Sequence, residues 1–267
     1  YRDIFLSQSN RPSAMAYFDS MLENIYTGRI EEMLTAKQQG RPVIGTFCVY
    51  APEEIIQAAG GVCIGLCGGS QATIPDAETV LPRNICPMVK SAFGFKISGM
   101  CPFFQAVDFV YGETTCDAKK KTWELLDCHV PTHVMEIPQL KRERDKQLWL
   151  AEVKDFKQAI EQVTGTQIEE EALRQAIETL NAKRSALQRL NQLRHHTPSP
   201  ISGRDMLLIQ QIAFYDIPER FTAEVHRLCD ELEQRIASNN PVAPAQTPRI
   251  MVSGTPMALP NWKLHNI

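Results

Sequence analysis

The apolar residues of this chain keep two different periods, and the alternation between them lays out its elements. Met15, Phe18, Met21, Leu22, Ile25 and Tyr26 recur every three or four residues, which predicts a helix over residues 13–38. Residues 43–47 then form a short run rich in β-branched residues, which predicts a strand. A turn at Ala51-Pro52 opens a helix; the missing N–H of Pro52 costs nothing in a first turn, and Glu53 and Glu54 complement the helix dipole. Gly60-Gly61 ends that helix before a second strand at 62–66. Strand, helix, strand in so short a span is the grammar of a parallel sheet with a right-handed crossover.

The pattern repeats with a strand at 107–111, a helix at 117–126 and a strand at 132–135, closed by Pro138. Beyond residue 140 only the helical period remains, over 141–163, 169–193, 203–214 and 218–237, with Leu173, Ile177, Leu180, Leu187 and Leu190 on a buried face. Residues 239–244 read as a linker, and residues 249–256 as the first strand and turn of a second α/β unit. The expected fold is α/β, a flavodoxin-like or Rossmann-like domain with a short parallel sheet plus a large helical segment. Its divisions are a helical segment at 1–40, an α/β domain at 41–140, a helical segment at 141–238, and the start of a second, truncated α/β domain at 248–267. One strand and one helix cannot make a sheet domain, so the chain reads as cut short; it also begins at Tyr1 without an initiator methionine.

A hydrophobic fraction of 43% and a net charge of −3 suit a globular protein and give no reason to expect a nucleic acid or a membrane as partner. No apolar run reaches the ~18 residues of a membrane-spanning helix, and no export signal is visible at the start. Eight cysteines in 267 residues are too sparse for a disulfide scaffold, so reduced thiols in a cytoplasm are the expectation.

Four of those cysteines, Cys67, Cys86, Cys101 and Cys116, follow one another at steps of 15 to 19 residues. Cys86 and Cys101 precede prolines and Cys116 precedes Asp117, so each is a candidate helix N-cap. The free N–H groups there favour thiolate, the form that binds metal, and suit an anionic iron–sulfur cluster. Cys67 lies instead in the glycine-rich turn Leu66-Cys67-Gly68-Gly69-Ser70, where backbone can approach a ligand closely. Zinc prefers close cysteine pairs, and only Cys63 and Cys67 offer one. Zinc, purely structural thiols and a lone nucleophilic cysteine remain open on spacing alone. Cys48 and Cys229 read as buried small hydrophobes, and Cys128 has no assignable role. Lys119-Lys120-Lys121 reads as a solvated helix face, or as cationic charge for an anionic substrate or redox partner. His195-His196 reads as loop, and neither a phosphate loop nor a dinucleotide fingerprint is present.

The runs Leu81-Pro82-Arg83-Asn84-Ile85-Cys86-Pro87-Met88-Val89-Lys90-Ser91, Cys101-Pro102-Phe103-Phe104 and Gly112-Glu113-Thr114-Thr115-Cys116-Asp117 resemble the 2-hydroxyacyl-CoA dehydratase superfamily, D-component-like, and within it the double-cubane-cluster branch. His133-Val134-Met135-Glu136-Ile137-Pro138-Gln139 fits as well. The resemblance implies two flavodoxin-like domains with an oxygen-sensitive iron–sulfur cluster between them, either [4Fe-4S] or the double cubane [8Fe-9S]. It implies single-electron reduction by an ATP-dependent iron–sulfur activator protein, a homodimer or heterodimer, and an acyl-CoA or small-molecule substrate. Dehydratases of this kind reduce a 2-hydroxyacyl thioester to a ketyl radical that expels the hydroxyl group. Cys86 and Cys116 match the cluster cysteines; Cys67 and Cys101 match the additional ones of the double-cubane branch. A non-catalytic electron carrier or scaffold with the same cluster is the alternative.

Overall fold

The computed structural model describes residues 2–66, 68–254, 257, 259 and 261–266. Along the chain these form α1 (Arg2–Leu6), α2 (Met15–Glu23), α3 (Gly28–Gln38), β1 (Val43–Thr46), α4 (Glu53–Ala58), β2 (Val62–Gly65), α5 (Ile74–Ala77), α6 (Pro87–Ile97) and α7 (Pro102–Ala106). There follow β3 (Phe109–Glu113), α8 (Asp117–Asp127), β4 (Thr132–Met135), α9 (Glu143–Thr164), α10 (Glu170–Leu193), α11 (Gly203–Ile212), α12 (Pro218–Ala237) and α13 (Lys263–Asn266). The chain divides into two compact units, one of residues 30–177 and 258–261, the other of residues 1–29, 178–257 and 262–267.

The first unit is built on a four-stranded parallel sheet of order β2-β1-β3-β4. Period-two alternation gives the sheet two different faces. Ile44, Phe109, Tyr111 and Met135 join Ile55 and Ile56 of α4 and Phe156 and Ile160 of α9 in one apolar cluster. The opposite face carries glycines where helices and loops come close. A Cβ on Gly45 would fall 2.1 Å from Leu66, and one on Gly112 would fall 2.7 Å from the Trp123 indole of α8. The chain runs from β1 outward to β2 and then returns past β1 to β3. The connections therefore diverge between β1 and β3, the position where parallel α/β sheets open a ligand crevice beyond the strand ends.

The second unit is helical. Phe18 of α2 meets Phe221 of α12 edge to face at 6.1 Å, and Phe5 meets Trp262 at 5.6 Å. Its buried ion cluster centres on Asp205 of α11, which accepts from Arg11 at 2.9 Å and Gln8 at 3.0 Å, while Arg11 also holds Asp19. Ser202 caps α11 by accepting from the Asp205 N–H at 3.0 Å.

The helix expected over residues 13–38 is two helices. Asn24 interrupts it: its side-chain amide donates to the Ser20 carbonyl at 2.9 Å and its own carbonyl accepts from Thr27 and Arg29, a local alternative to the helical ladder. The strand expected at the start of residues 249–256 is not formed. Residues 249–254 are irregular, with Ile250 and Met251 each 87% exposed, and a strand without a neighbour has nothing to pair with.

Candidate thiol site at the carboxyl ends of the strands

The centre of the site is Phe47, the residue that follows β1. Its N–H still donates to the Tyr111 carbonyl at 3.2 Å, so the ladder with β3 runs one residue past the strand. Its ring stacks on Trp123 of α8 at 4.4 Å and tilts against Phe104 of α7 at 5.8 Å. One side chain at the end of β1 thus fixes two helices, and each begins at a cysteine. Cys101 is the N-cap of α7 and Cys116 the N-cap of α8, both with extended backbone; Cys86 is the N-cap of α6. Proline follows directly after Cys86 and Cys101, as the sequence pattern requires. Cys86 and Cys116 make no side-chain cap hydrogen bond, whereas the Cys101 sulfur lies over the Phe103 and Phe104 N–H groups of the helix it begins.

Cys86 and Cys116 are exposed, and Cys101 is partly buried. Burial pushes the Cys101 thiol up; the N–H groups of Phe104 and Phe103 pull the other way and lose. Cys67 lies outside the described residues. Among the described residues no three His, Cys, Asp or Glu side chains stand close enough together to hold a single metal ion.

Each cysteine-bearing segment is tied down. Lys90 of α6, 5% exposed, donates to Glu78 at 2.7 Å and to the Arg83 carbonyl at 2.8 Å, fastening the stretch that leads into Cys86. Ser91 donates to the Ser70 carbonyl at 2.7 Å and accepts from the Ser70 N–H at 3.2 Å, while Thr73 donates to the Ser91 carbonyl at 3.0 Å. The glycine-rich turn after β2 is thereby clamped to α6, and Gly68 permits it: a Cβ there would come within 2.9 Å of the Ala92 nitrogen. Lys96 donates to the Phe104 carbonyl at 3.2 Å and ties α6 to α7.

Three residues outside the expected ligand set stand at the centre. Glu113 ends β3 fully buried, and its backbone carbonyl accepts from the Trp123 indole at 2.8 Å. Its Oε1 accepts from Lys119 and, at 2.9 Å, from Thr115; Oε2 is buried without a hydrogen-bond partner. Burial alone would lower the Lys119 pKa, but the hydrogen bond and charge of Glu113, with the nearby Cys48 and Cys116 thiols, raise it. Cys48 is half-buried rather than a core residue, and it holds the left-handed backbone conformation at φ 63° that bulkier residues avoid. Burial pushes its thiol up, Lys119 pulls it down and the facing Glu113 carboxylate pushes it further up. The loop after it is pinned by the Tyr111 hydroxyl, which donates to the Tyr50 carbonyl at 3.1 Å. Cys229, by contrast, is fully buried on α12, as expected of a core thiol.

Glu113 escaped the sequence reading; the one signal for it is a carboxylate standing just beyond an apolar strand run, a residue type seldom buried without a partner. Nothing in the sequence separates Cys48 from a core cysteine, or Lys119 from the two lysines after it.

The fold and these residues define a parallel α/β protein with free thiols at Cys48, just past β1, and at the N-caps of α6, α7 and α8. Residues 48–267 match the family model of the 2-hydroxyglutaryl-CoA dehydratase D-component, and the chain belongs to that family. It is 37% identical over 244 residues to YjiM of Escherichia coli (strain K12), named for a dehydratase subunit, covering 91% of this chain and 63% of that protein. It is 25% identical to the lactoyl-CoA dehydratase subunit beta of Anaerotignum propionicum, covering 81% of this chain and 56% of the relative. With one of the benzoyl-CoA reductase subunits of Thauera aromatica it shares 26% identity over 64% of this chain and 45% of the relative. The chain thus spans about half to two thirds of the length of these relatives.

Proposed function

We propose that this chain is the iron–sulfur component of a 2-hydroxyacyl-CoA dehydratase-type enzyme, reduced one electron at a time by an ATP-dependent activator protein. Cys86 and Cys116 are its main ligands, and Cys67 and Cys101 are the further ones that a double cubane needs. The observation that carries this reading is the shared N-cap position of Cys86, Cys101 and Cys116, each at the start of a helix on a braced segment. The donor set fits the group: thiolates are its usual protein ligands, and the unpaired N–H groups that open α6 and α8 suit anionic sulfide. When bound, such a group supplies low-potential single-electron chemistry.

The chain's own residues hold and shape that site. Phe47 holds the helices begun by Cys101 and Cys116 through Phe104 and Trp123, and Lys90 and Ser91 fasten the stretch before Cys86 and the Ser70 backbone to the helix that Cys86 begins. The relatives' names divide between dehydratases and a reductase, so the substrate is an acyl-CoA thioester or a small reducible molecule. The free thiols fit a reducing, cytoplasmic setting, and no described helix is long and apolar enough to cross a membrane. The test is iron and acid-labile sulfide analysis of the full-length protein purified without oxygen. About eight irons per chain support the double cubane and about four a single cubane. Protein without iron, or a Cys86→Ser, Cys116→Ser double variant with its iron intact, would sink the reading.

A further inference from the structure

The run Lys119-Lys120-Lys121 is three like residues in sequence and two kinds of residue in the structure. Lys120 is half exposed and pairs with Asp117 at 3.6 Å, while Lys121 is 74% exposed and pairs with Glu124. Both are the solvated face of a helix. Lys119 turns inward instead, its side chain 20% exposed, and reaches back to the end of β3. It stands at the third position of α8, whose N-cap is Cys116. Side chains at that position fold back over the helix start, as in a capping box.

An ammonium has three N–H donors. Glu113 Oε1 takes one and Thr115 Oγ1, at 3.2 Å, takes a second. Among the described residues no partner takes the third; Thr115 directly precedes Cys116, so the bond to its hydroxyl holds the ammonium one residue from the N-cap cysteine. Glu113 is a rigid anchor, locked by the Trp123 indole and by the strand it ends. The lysine therefore approaches the thiols by design of the backbone, not by the drift of a surface side chain.

We propose that Lys119 is a positioning residue for charge: anchored on Glu113, it is the fixed cation that raises the electron affinity of the group held at Cys116. The inference rests on the reading that Cys116 is a ligand. An added electron is stabilised by a nearby cation, and water screens the largely covered Lys119 less than it screens a surface lysine. Glu113, whose carboxylate faces Cys48, offsets part of that charge, so removing one member of the pair or the other changes the field at Cys116 in opposite directions.

The test compares full-length wild-type protein, Lys119→Met and Lys119→Arg, purified without oxygen. Iron content, thermal midpoint and the reduced-to-oxidised ratio by electron paramagnetic resonance are measured against titanium(III) citrate as the one-electron donor. At the wild-type midpoint potential the Met variant, with unchanged iron, is expected to show a ratio about tenfold lower, a shift of about 59 mV to the negative. The Arg variant keeps the charge and stays near wild type, a rescue that a merely structural role does not predict. Should Lys119→Met lose iron, Glu113→Gln decides: it keeps the cation, removes the opposing anion, and must raise the ratio. Wild-type iron with an unmoved midpoint in Lys119→Met, or no rise in Glu113→Gln, overturns the inference. Wild-type protein without iron overturns the ligand reading, and this inference with it.

Discussion

Glu113 in the α/β unit and Asp205 in the helical unit are the same device put to two uses. Both carboxylates are fully buried, both lean on one cation, and both keep one oxygen without a hydrogen-bond partner. Asp205 sits in a closed cluster: Arg11 spans it and Asp19, Gln8 donates to it, and its own N–H is capped by Ser202. Burial pushes its pKa up, and Arg11 and Gln8 offset only part of that. Every neighbour is spoken for, and the cluster ties the N-terminal segment to α11. The cavity beside it, about 840 Å³, has arginines in its wall, but Arg249 is spent on the carbonyls of Arg194 and His195 at 3.2 Å each. Glu113 lies instead at the end of β3, where the connections leaving β1 and β3 diverge, with its cation on the helix that Cys116 begins. A buried ion pair is a staple where its surroundings close and a site where they open.

Removing each carboxylate separates the two uses most sharply. Glu113→Ala leaves Lys119 half-stranded and is expected to cost about 3 kcal/mol, the low end for a broken buried pair because Lys119 keeps some water. Denaturant unfolding measures that loss, and iron content must fall with it. Asp205→Ala leaves Arg11 with Asp19, so the expected cost is about 2 kcal/mol, with iron content unchanged. Equal losses of iron in the two variants would break the comparison. Ser202→Ala removes only the α11 cap and the 2.6 Å bond to Gln8, an expected loss of about 1 kcal/mol in the same unfolding experiment.

The smallest effect is a pH dependence. Burial pushes the Cys229 thiol from 9.0 up to about 11. The unfolded chain releases that proton first, so the thiol's contribution is intact below pH 9 and is lost as the pH rises from 9 through about 11. Thermal midpoints of wild type fall across that window, and the Cys229→Ala variant flattens this part of the decline. In alkylation of iron-free protein at neutral pH, the exposed Cys86, Cys116 and Cys128 react first and Cys229 only on unfolding.

The sheet was readable because its strands are short, apolar and bounded by Gly and Pro; β1, β2 and β4 fall where the pattern places them. β3 runs two residues later than its apolar stretch, because Glu113 completes the strand while its charge is neutralised from α8. The caps at Cys86, Cys101 and Cys116 were readable for a local reason: a proline or aspartate after an extended residue starts a helix whatever lies around it.

What the sequence by itself determined is therefore most of what depends on near neighbours, namely periodicity, strand order, caps and the motifs that mark the family, although the local break at Asn24 escaped it. Only the tertiary structure decided that Cys48 leaves the core in a left-handed turn, that one lysine of three turns inward, and that Phe47 holds the helices of Cys101 and Cys116 to one strand end. Those facts come from pairing β1 with β3, two segments more than sixty residues apart, and no local pattern records which groups that pairing brings face to face.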